Sequence, residues 1–403
     1  MNFCEKCGYP ENHALGITFD ESSTCSGCII HREKFELNWE ERKLKLFDLL
    51  KCYKSKNNTN YDCIIPVSGG KDSFFIVDLI KNQFGLNPLL VLFNRHYNSK
   101  GGIYNLEHIR TTIGCDIITM TLNPETTFKL MRYSFEAIGS IHWPYLAGST
   151  VFPVQIAVKK NIPLIIWGVH QGIDQVGMFS HLDEVEMTRR YRHEHDLMGL
   201  EPEQVLTDID NKISMADIKP LFYPDDSDLQ SIGVRGIYLN NYLLWDSKTQ
   251  YELMQSKYDI YSFRQKRTFD TYNDMDCLYY NNLHDYIKFC KFGYSKVNDH
   301  VAREIRFGRI NLEQGLYLIE KYQKFGDIDF TPLCRKMGIS IDEFKSILKK
   351  HTRPSQRHPR FGESIGEETA GLAEKFCQDF IENIPQKIAS HHQEEQTLLR
   401  GGF

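Results

Sequence analysis

Six consecutive residues, Ser68-Gly69-Gly70-Lys71-Asp72-Ser73, combine side-chain types suited to phosphate chemistry. Two successive glycines let the backbone turn sharply and approach an anion without a Cβ in the way. If a helix begins here, its first amides aim at that anion along the favourable end of the helix dipole. Ser68 and Ser73 add hydroxyl donors, and Asp72 can hold a magnesium ion or fix the loop. The flanks supply the elements such a loop needs. Residues 62–67 form a short apolar run that reads as a buried strand. Phe74, Phe75, Val77, Leu79 and Ile80 follow with helical spacing as far as Phe84, and Gly85 supplies the stop. The pattern points to the binding of a nucleotide's phosphates.

The segment is not a Walker A loop, which would place Gly at position 65 and Ser or Thr at position 72, where this chain has Ile65 and Asp72. It resembles the S-G-G-x-D-S signature of the PP-loop ATP pyrophosphatases. That resemblance implies that ATP is split into AMP and pyrophosphate.

A second pattern is Cys4-x-x-Cys7 followed by Cys25-x-x-Cys28. Two such knuckles give four thiolates that can converge tetrahedrally on Zn2+, with Gly8 and Gly27 providing tight turns. In so short a segment the metal would supply most of the folding energy, on the order of 10 kcal/mol. His31 could replace one cysteine, but four thiols already complete a site. Two matched pairs favour a closed structural site over a redox centre.

The chain between these motifs and residue 232 alternates in type. After a charged helix at 38–52 and a polar linker at 54–60, strand-like runs recur at 89–93, 116–120 and Leu164–Trp167. Helical patterns at 105–112, 125–135 and 151–159 separate them. Alternation of this kind predicts an α/β fold, a doubly wound parallel sheet with helices on both faces. Ligands then lie beyond the carboxyl ends of the strands, which brings Asn94, Arg95, Gly168, Val169, His170 and Gln171 toward the nucleotide. From about Gly233 the chain becomes mainly helical and rich in Tyr, Lys and Arg. Arg303 and Arg306 are three apart, so they could share a face and grip a phosphate or carboxylate, although spacing alone favours a solvated face. Lys291 precedes them as a further candidate for substrate. Beyond His351 comes a tail whose best helical candidate is 367–384, followed by a polar stretch at 391–396.

Composition bounds the function classes. A chain of 403 residues with formal net charge −5 can build two or three cored domains. Without a long basic stripe, bulk nucleic-acid binding is not the default. No apolar stretch reaches membrane-spanning length, and Cys4 and Cys7 stand where a signal peptide needs an apolar core. An odd count of 11 cysteines, several in apolar segments, suits a reducing cytoplasm.

Taken together, the cysteine pairs, residues 67–73, the run Ile162-Pro163-Leu164-Ile165-Ile166-Trp167-Gly168 and the segment 274–309 resemble the N-acetyl sugar amidotransferase family. Gly236-Ile237-Tyr238-Leu239 and Trp245-Asp246-Ser247 narrow the match, which spans roughly residues 1–350. The loop 95–102 maps onto no pattern of that family. The resemblance implies a zinc ribbon at 1–35, a PP-loop domain of the adenine nucleotide alpha hydrolase-like type at 36–232, a helical substrate or partner region at 233–350 and an accessory tail at 351–403. It implies ATP, Mg2+ and Zn2+ as cofactors, and an acetamido sugar of bacterial surface polysaccharide or of a nonulosonic acid such as pseudaminic acid as substrate. Ser68, Asp72 and Lys219 would be catalytic, with Gly69, Gly70, Lys71, Ser73 and Gly168 beside the nucleotide. Lys219, in Ile218-Lys219-Pro220-Leu221, resembles a basic position used near the phosphates in other PP-loop enzymes, though a surface lysine fits it too.

No cysteine sits in a G-x-C-x-G elbow, and residue 2 is Asn, so a glutaminase centre is not expected in this chain. The resemblance implies a separate glutaminase subunit and a cyclase-like subunit that conducts ammonia. Two rival readings remain. A tRNA-modifying PP-loop enzyme, a thiolase or a lysidine-type ligase, would need a sulfur-handling cysteine pair or a basic surface; Cys115, Cys277, Cys290 and Cys334 are scattered singly. A module that binds ATP without turnover is the non-enzymatic alternative.

Overall fold

The computed structural model describes residues 2–95, 97–207, 213–274, 276–326, 328–353, 358–361, 365–382 and 398–399. Five strands form its central sheet: β1 (Cys63–Pro66), β2 (Pro88–Phe93), β3 (Ile117–Met120), β4 (Leu164–Trp167) and β5 (Arg235–Tyr238). Their order is β3-β2-β1-β4-β5 and every pairing is parallel. This is a doubly wound sheet whose chain direction switches sides at β1, the arrangement expected from the alternation of strands and helices.

Strand periodicity decides which residue enters which core. In β2, Leu90 and Leu92 face one apolar cluster, whereas Leu89, Val91 and Phe93 face the other. Both faces must therefore be covered, which is why these strands read as continuous apolar runs. After the short α1 (Ser26–Glu33), α2 (Trp39–Lys51), α3 (Lys71–Asp78) and α4 (Lys100–His108) lie on the first face. On the second lie α5 (Pro124–Ile138) and α6 (Trp143–Lys160), together with apolar residues between Leu197 and Leu221. Local signals set several ends. Asn38 caps α2 through the Glu41 amide, Asn123 caps α5, and Gly139 ends α5 in the left-handed conformation.

The fifth strand lies where the helical region was expected to begin. Residues Leu164 to Trp167 pair in register with Arg235 to Tyr238, so the sheet extends beyond Gly233. After it, α7 (Ser247–Tyr258) returns to the first face of the sheet through Met254 and Tyr258.

The rest is helical. Helices α8 (Leu278–Phe292), α9 (Lys296–Arg306), α10 (Leu312–Tyr322), α11 (Thr331–Met337), α12 (Ile341–His351) and α13 (Glu367–Glu382) follow in turn. α8, α11 and α12 share one core with α5 through Phe128, Phe135, Leu283, Leu333 and Phe344. α9, α10 and α13 share another, into which α13 sends Ala373, Cys377 and Phe380. The tail helix expected over 367–384 thus runs to Glu382, and positions 383–384 and the polar stretch 391–396 lie outside the described residues. No helix among the described residues is long and apolar enough to cross a membrane.

Candidate active site

β1 ends at Pro66 and the chain turns through Ser68, Gly69 and Gly70 into α3. Gly69 has φ +82°, and a Cβ there would lie 2.7 Å from the carbonyl oxygen of Gly102. Both facts reserve the position for glycine. The loop is laced internally. The Ser68 amide donates to Ser73 Oγ at 3.1 Å, and the Ser73 amide donates to the Gly70 carbonyl at 3.0 Å. Lys71 is buried, ion-paired to Asp72 and 5.6 Å from the centroid of the Tyr272 ring. Asp72 remains part-exposed, so it both fixes the loop and faces solvent.

A cavity of about 240 Å3 opens at this turn, between the carboxyl ends of β1, β2 and β4. Ser68, Asp72 and Ser73 line one side, and Val91 and Phe93 line the end of β2. Gly168 and Val169 close it after β4, where the Asn240 amide donates to the Gly168 carbonyl at 3.2 Å. This is the crevice at the sheet's switch point, where doubly wound folds bind ligands. Tyr145 and Ser149 also line it from α6, and Trp167 from the tip of β4. The sequence carried no signal for Tyr145 or Ser149, because their helix was expected to start only at residue 151.

Other expected residues lie elsewhere. Lys71 is not among the residues lining this cavity. Lys219 sits on an exposed turn between the buried Ile218 and Leu221, also away from the cavity lining, in keeping with a surface lysine. Asn94 is buried, donating to Thr121 Oγ1 at 3.2 Å. Arg95 bonds Asn281 Oδ1 at 2.8 Å, lies 3.4 Å from Asp276 and stacks on Tyr145 at 3.8 Å.

Arg303 and Arg306 do not form an anion grip. Arg303 pairs with Asp270 at 3.0 Å and Glu304 at 2.6 Å, both of them buried acids. Arg306 donates to the Gln175 carbonyl at 2.7 Å and lies 3.6 Å from Cys25 Sγ. Three-residue spacing put them on one helix face, but that face is turned inward against acids and carbonyls. Lys291 differs. It donates to the carbonyls of Ile138 and Gly139, at 2.7 and 3.2 Å, and lines a cavity of about 760 Å3 with Lys288 and Arg353. Burial, helped by Arg353, lowers its pKa to about 8.

A smaller cavity of about 160 Å3 shares Trp167 and Val169 with the loop cavity. Its walls include His170, Tyr191, Asp196, Tyr223 and Tyr238. Burial raises the Asp196 carboxyl to about 7, an effect opposed by neighbouring Arg192. Burial lowers His170 to about 4, with His195 acting in the same direction. Of these groups the sequence reading found only His170.

The four cysteine sulfurs lie within 4.8 Å of one another and are all buried. Cys4 and Cys28 sulfurs are 3.9 Å apart, and those of Cys7 and Cys25 are 3.6 Å apart. A tetrahedral zinc site with Zn–S near 2.3 Å requires sulfurs about 3.8 Å apart, so the donor set could hold zinc. His31 is not in the cluster; its ring packs 4.6 Å from Phe307. Gly8 does make a turn, with φ +70°. Gly27 serves otherwise: a Cβ there would lie 2.3 Å from Arg306 Nη2, so its role is close approach, not turning. The cysteine module is docked further by Tyr9, whose hydroxyl donates to Asp299 at 2.9 Å, and by the part-buried ion pair of Lys34 with Asp174.

Residues 245–363 match the family model described as LPS biosynthesis protein WbpG-like, C-terminal domain. An uncharacterized protein of Methanocaldococcus jannaschii is 31% identical over 124 residues, which is 31% of this chain and 43% of that relative. The chain therefore spans less than half the length of that curated relative. Among solved structures, an NH3-dependent NAD synthetase from Campylobacter jejuni is 12% identical with a TM-score of 0.28, covering 49% of this chain and 92% of the other. An NMN synthetase from Francisella tularensis is 13% identical with the same TM-score of 0.28, covering 55% and 94%.

Proposed function

We infer that this chain is an ATP-dependent amidotransferase that converts an acetamido group on a bacterial surface sugar into an acetamidino group. One observation carries the reading: the Ser68–Ser73 signature opens onto the switch-point cavity in a chain whose residues 245–363 match a family of lipopolysaccharide biosynthesis.

An acetamido carbonyl is a weak electrophile whose oxygen leaves poorly. Attack of that oxygen on the α-phosphorus of ATP forms a C–O–P linkage and releases pyrophosphate. Ammonia then adds to the activated carbon, a proton is lost, and the C–O bond breaks with AMP as leaving group. An acetamidine remains. The protein's part is alignment and charge stabilisation. The amides at the start of α3 and the Ser68 and Ser73 hydroxyls would hold the departing pyrophosphate, and Asp72 would hold magnesium, which neutralises phosphate charge when bound. The four thiolates would hold a structural zinc ion. Ammonia would come from a separate glutaminase, through a cyclase-like subunit, and the reaction would belong to the cytoplasm.

The thiol chemistry of a tRNA thiolase finds little support. Burial pushes Cys115, Cys290 and Cys334 upward and Cys277 to about 12, whereas a sulfur-handling thiolate needs the opposite shift. The test is incubation with ATP, magnesium, ammonium and a panel of acetamido sugars, followed by mass spectrometry. Replacement of one oxygen by NH in a sugar, matched by AMP release, is the expected result. AMP release that depends on bulk tRNA and leaves every sugar unchanged would overturn it.

A further inference from the structure

The 160 Å3 cavity beside the phosphate loop has the makings of a built site. His170 is 1% exposed, yet neither ring nitrogen has a hydrogen-bond partner among the described residues. Trp167 Nε1 is likewise buried without one. A buried polar group left unpaired costs about 1–3 kcal/mol, so such groups mark a place where a ligand completes the bonding. The His170 backbone is held by its amide's bond to Asn240 Oδ1 at 3.0 Å, and its ring lies 4.3 Å from Tyr191 and 4.6 Å from Tyr238.

The charge inventory narrows the ligand. Arg192, the one cation on the lining among the described residues, is engaged by Glu201 at 2.9 Å, Thr150 Oγ1 at 3.0 Å and the carbonyls of Ala147 and Leu221 at 3.4 Å. His170 is neutral at physiological pH, since burial holds it near 4. Among the described residues of the lining, a phosphate or carboxylate would find no unengaged cation. The walls instead alternate aromatic faces with hydrogen-bonding groups. A cavity of this size is comparable to the ~150 Å3 cavity that admits a benzene ring, so it takes one six-membered ring and not a nucleotide. The apolar Val91 and Phe93 line the loop cavity on its β2 side, which leaves the nucleoside a place away from this one.

We propose that this cavity is the acceptor site, binding the uncharged pyranose ring that carries the acetamido group, with Trp167, Tyr191 and Tyr238 against its faces and His170 and Asp196 bonding its polar groups. This rests on the amidotransfer reading and adds to it the site and the residues. The ring lies across Trp167 and Val169 from Ser68 and Ser73, so its acetamido oxygen needs only to pass that shared wall to meet the phosphates. Any charged portion of the acceptor must leave the cavity. The far edge opens past Asp196 toward the larger cavity of Lys288, Lys291 and Arg353, since Asp196 lines both.

The experiment is saturation-transfer NMR of the full chain with a panel of methyl glycosides of acetamido hexoses, in the presence of a non-hydrolysable ATP analogue. Analogue affinity is followed in parallel by calorimetry. Wild type is compared with Asp196→Asn, which keeps the side-chain shape, and with Tyr238→Ala. Sugar signal weakened at least about fivefold in both variants, with nucleotide affinity unchanged, is the expected result. Lost nucleotide affinity with intact sugar signal would make this the adenine pocket and overturn the inference. Intact binding of both would overturn it while leaving amidotransfer standing. Silence of wild type toward every glycoside would contradict amidotransfer itself and this site with it.

Discussion

Arg306 occupies the space that a side chain on residue 27 would need: its Nη2 lies 2.3 Å from the position of a Cβ on Gly27. The guanidinium thereby reaches Cys25 Sγ at 3.6 Å and the Gln175 carbonyl at 2.7 Å. One arginine on α9 thus joins the cysteine module to the segment that follows β4. Gly27→Ala forces this part-buried cation out of its place, and the expected loss is about 2 kcal/mol of stability. Thermal unfolding of the purified variant measures it. An unchanged midpoint would mean that the module is held without Arg306.

The cysteine cluster predicts a bound metal that is structural. Cys25→Ser should lower zinc content well below one ion per chain and expose the first 35 or so residues to proteolysis. Elemental analysis and limited digestion read the two effects. Full zinc content in the variant would dismiss the four-thiolate site.

The turn from Ser68 to Ser73 depends on backbone shape. Gly69→Ala must put a Cβ at φ +82° and 2.7 Å from the Gly102 carbonyl. The expected strain is about 1–3 kcal/mol, with loss of most nucleotide binding. Calorimetric titration with ATP is the measurement. Wild-type affinity in a folded Gly69→Ala protein would remove this turn from the nucleotide site. Asp72→Asn, which keeps the shape, should abolish AMP formation while leaving unfolding near wild type.

Asp196 predicts a stability that depends on pH with a definite sign. Burial raises its pKa from 3.8 to about 7, while His170, His195, Arg192, Tyr191 and Tyr238 surround it. Between those values the folded chain keeps a proton that the unfolded chain releases. Its contribution to stability is therefore greatest below the unfolded value and falls as pH rises through about 7. Asp196→Asn removes that fall, so its unfolding midpoint should gain on wild type from pH 4 to pH 7 and then run parallel. Parallel curves throughout would show that Asp196 ionises normally.

Local patterns were legible in the sequence because local physics sets them. The apolar runs of β1, β2 and β4 are buried on both faces, and the Gly69-Gly70 turn into α3 needs residues of one kind. What depended on distant partners was not legible. α6 begins at Trp143, eight residues before its expected start, with Pro144 in the first turn where its missing amide hydrogen is harmless. β5 is four residues long and is recognisable only once β4 is there to pair with it. Arg303 and Arg306 carried a plausible spacing, but their ion partners Asp270 and Glu304 and the Gln175 carbonyl are brought in by tertiary packing. Asp196 had no motif at all; its raised pKa comes from burial that only the folded chain creates.

The most direct measurement follows the acetamido oxygen itself. An acetamido sugar labelled with heavy oxygen at its carbonyl is incubated with the protein, ATP, magnesium and ammonium, and the AMP is analysed by mass spectrometry. Attack of that oxygen on the α-phosphorus predicts that the label leaves the sugar and appears in AMP, one atom for each acetamidine formed. Unlabelled AMP, with the heavy oxygen still in the sugar, would contradict the account.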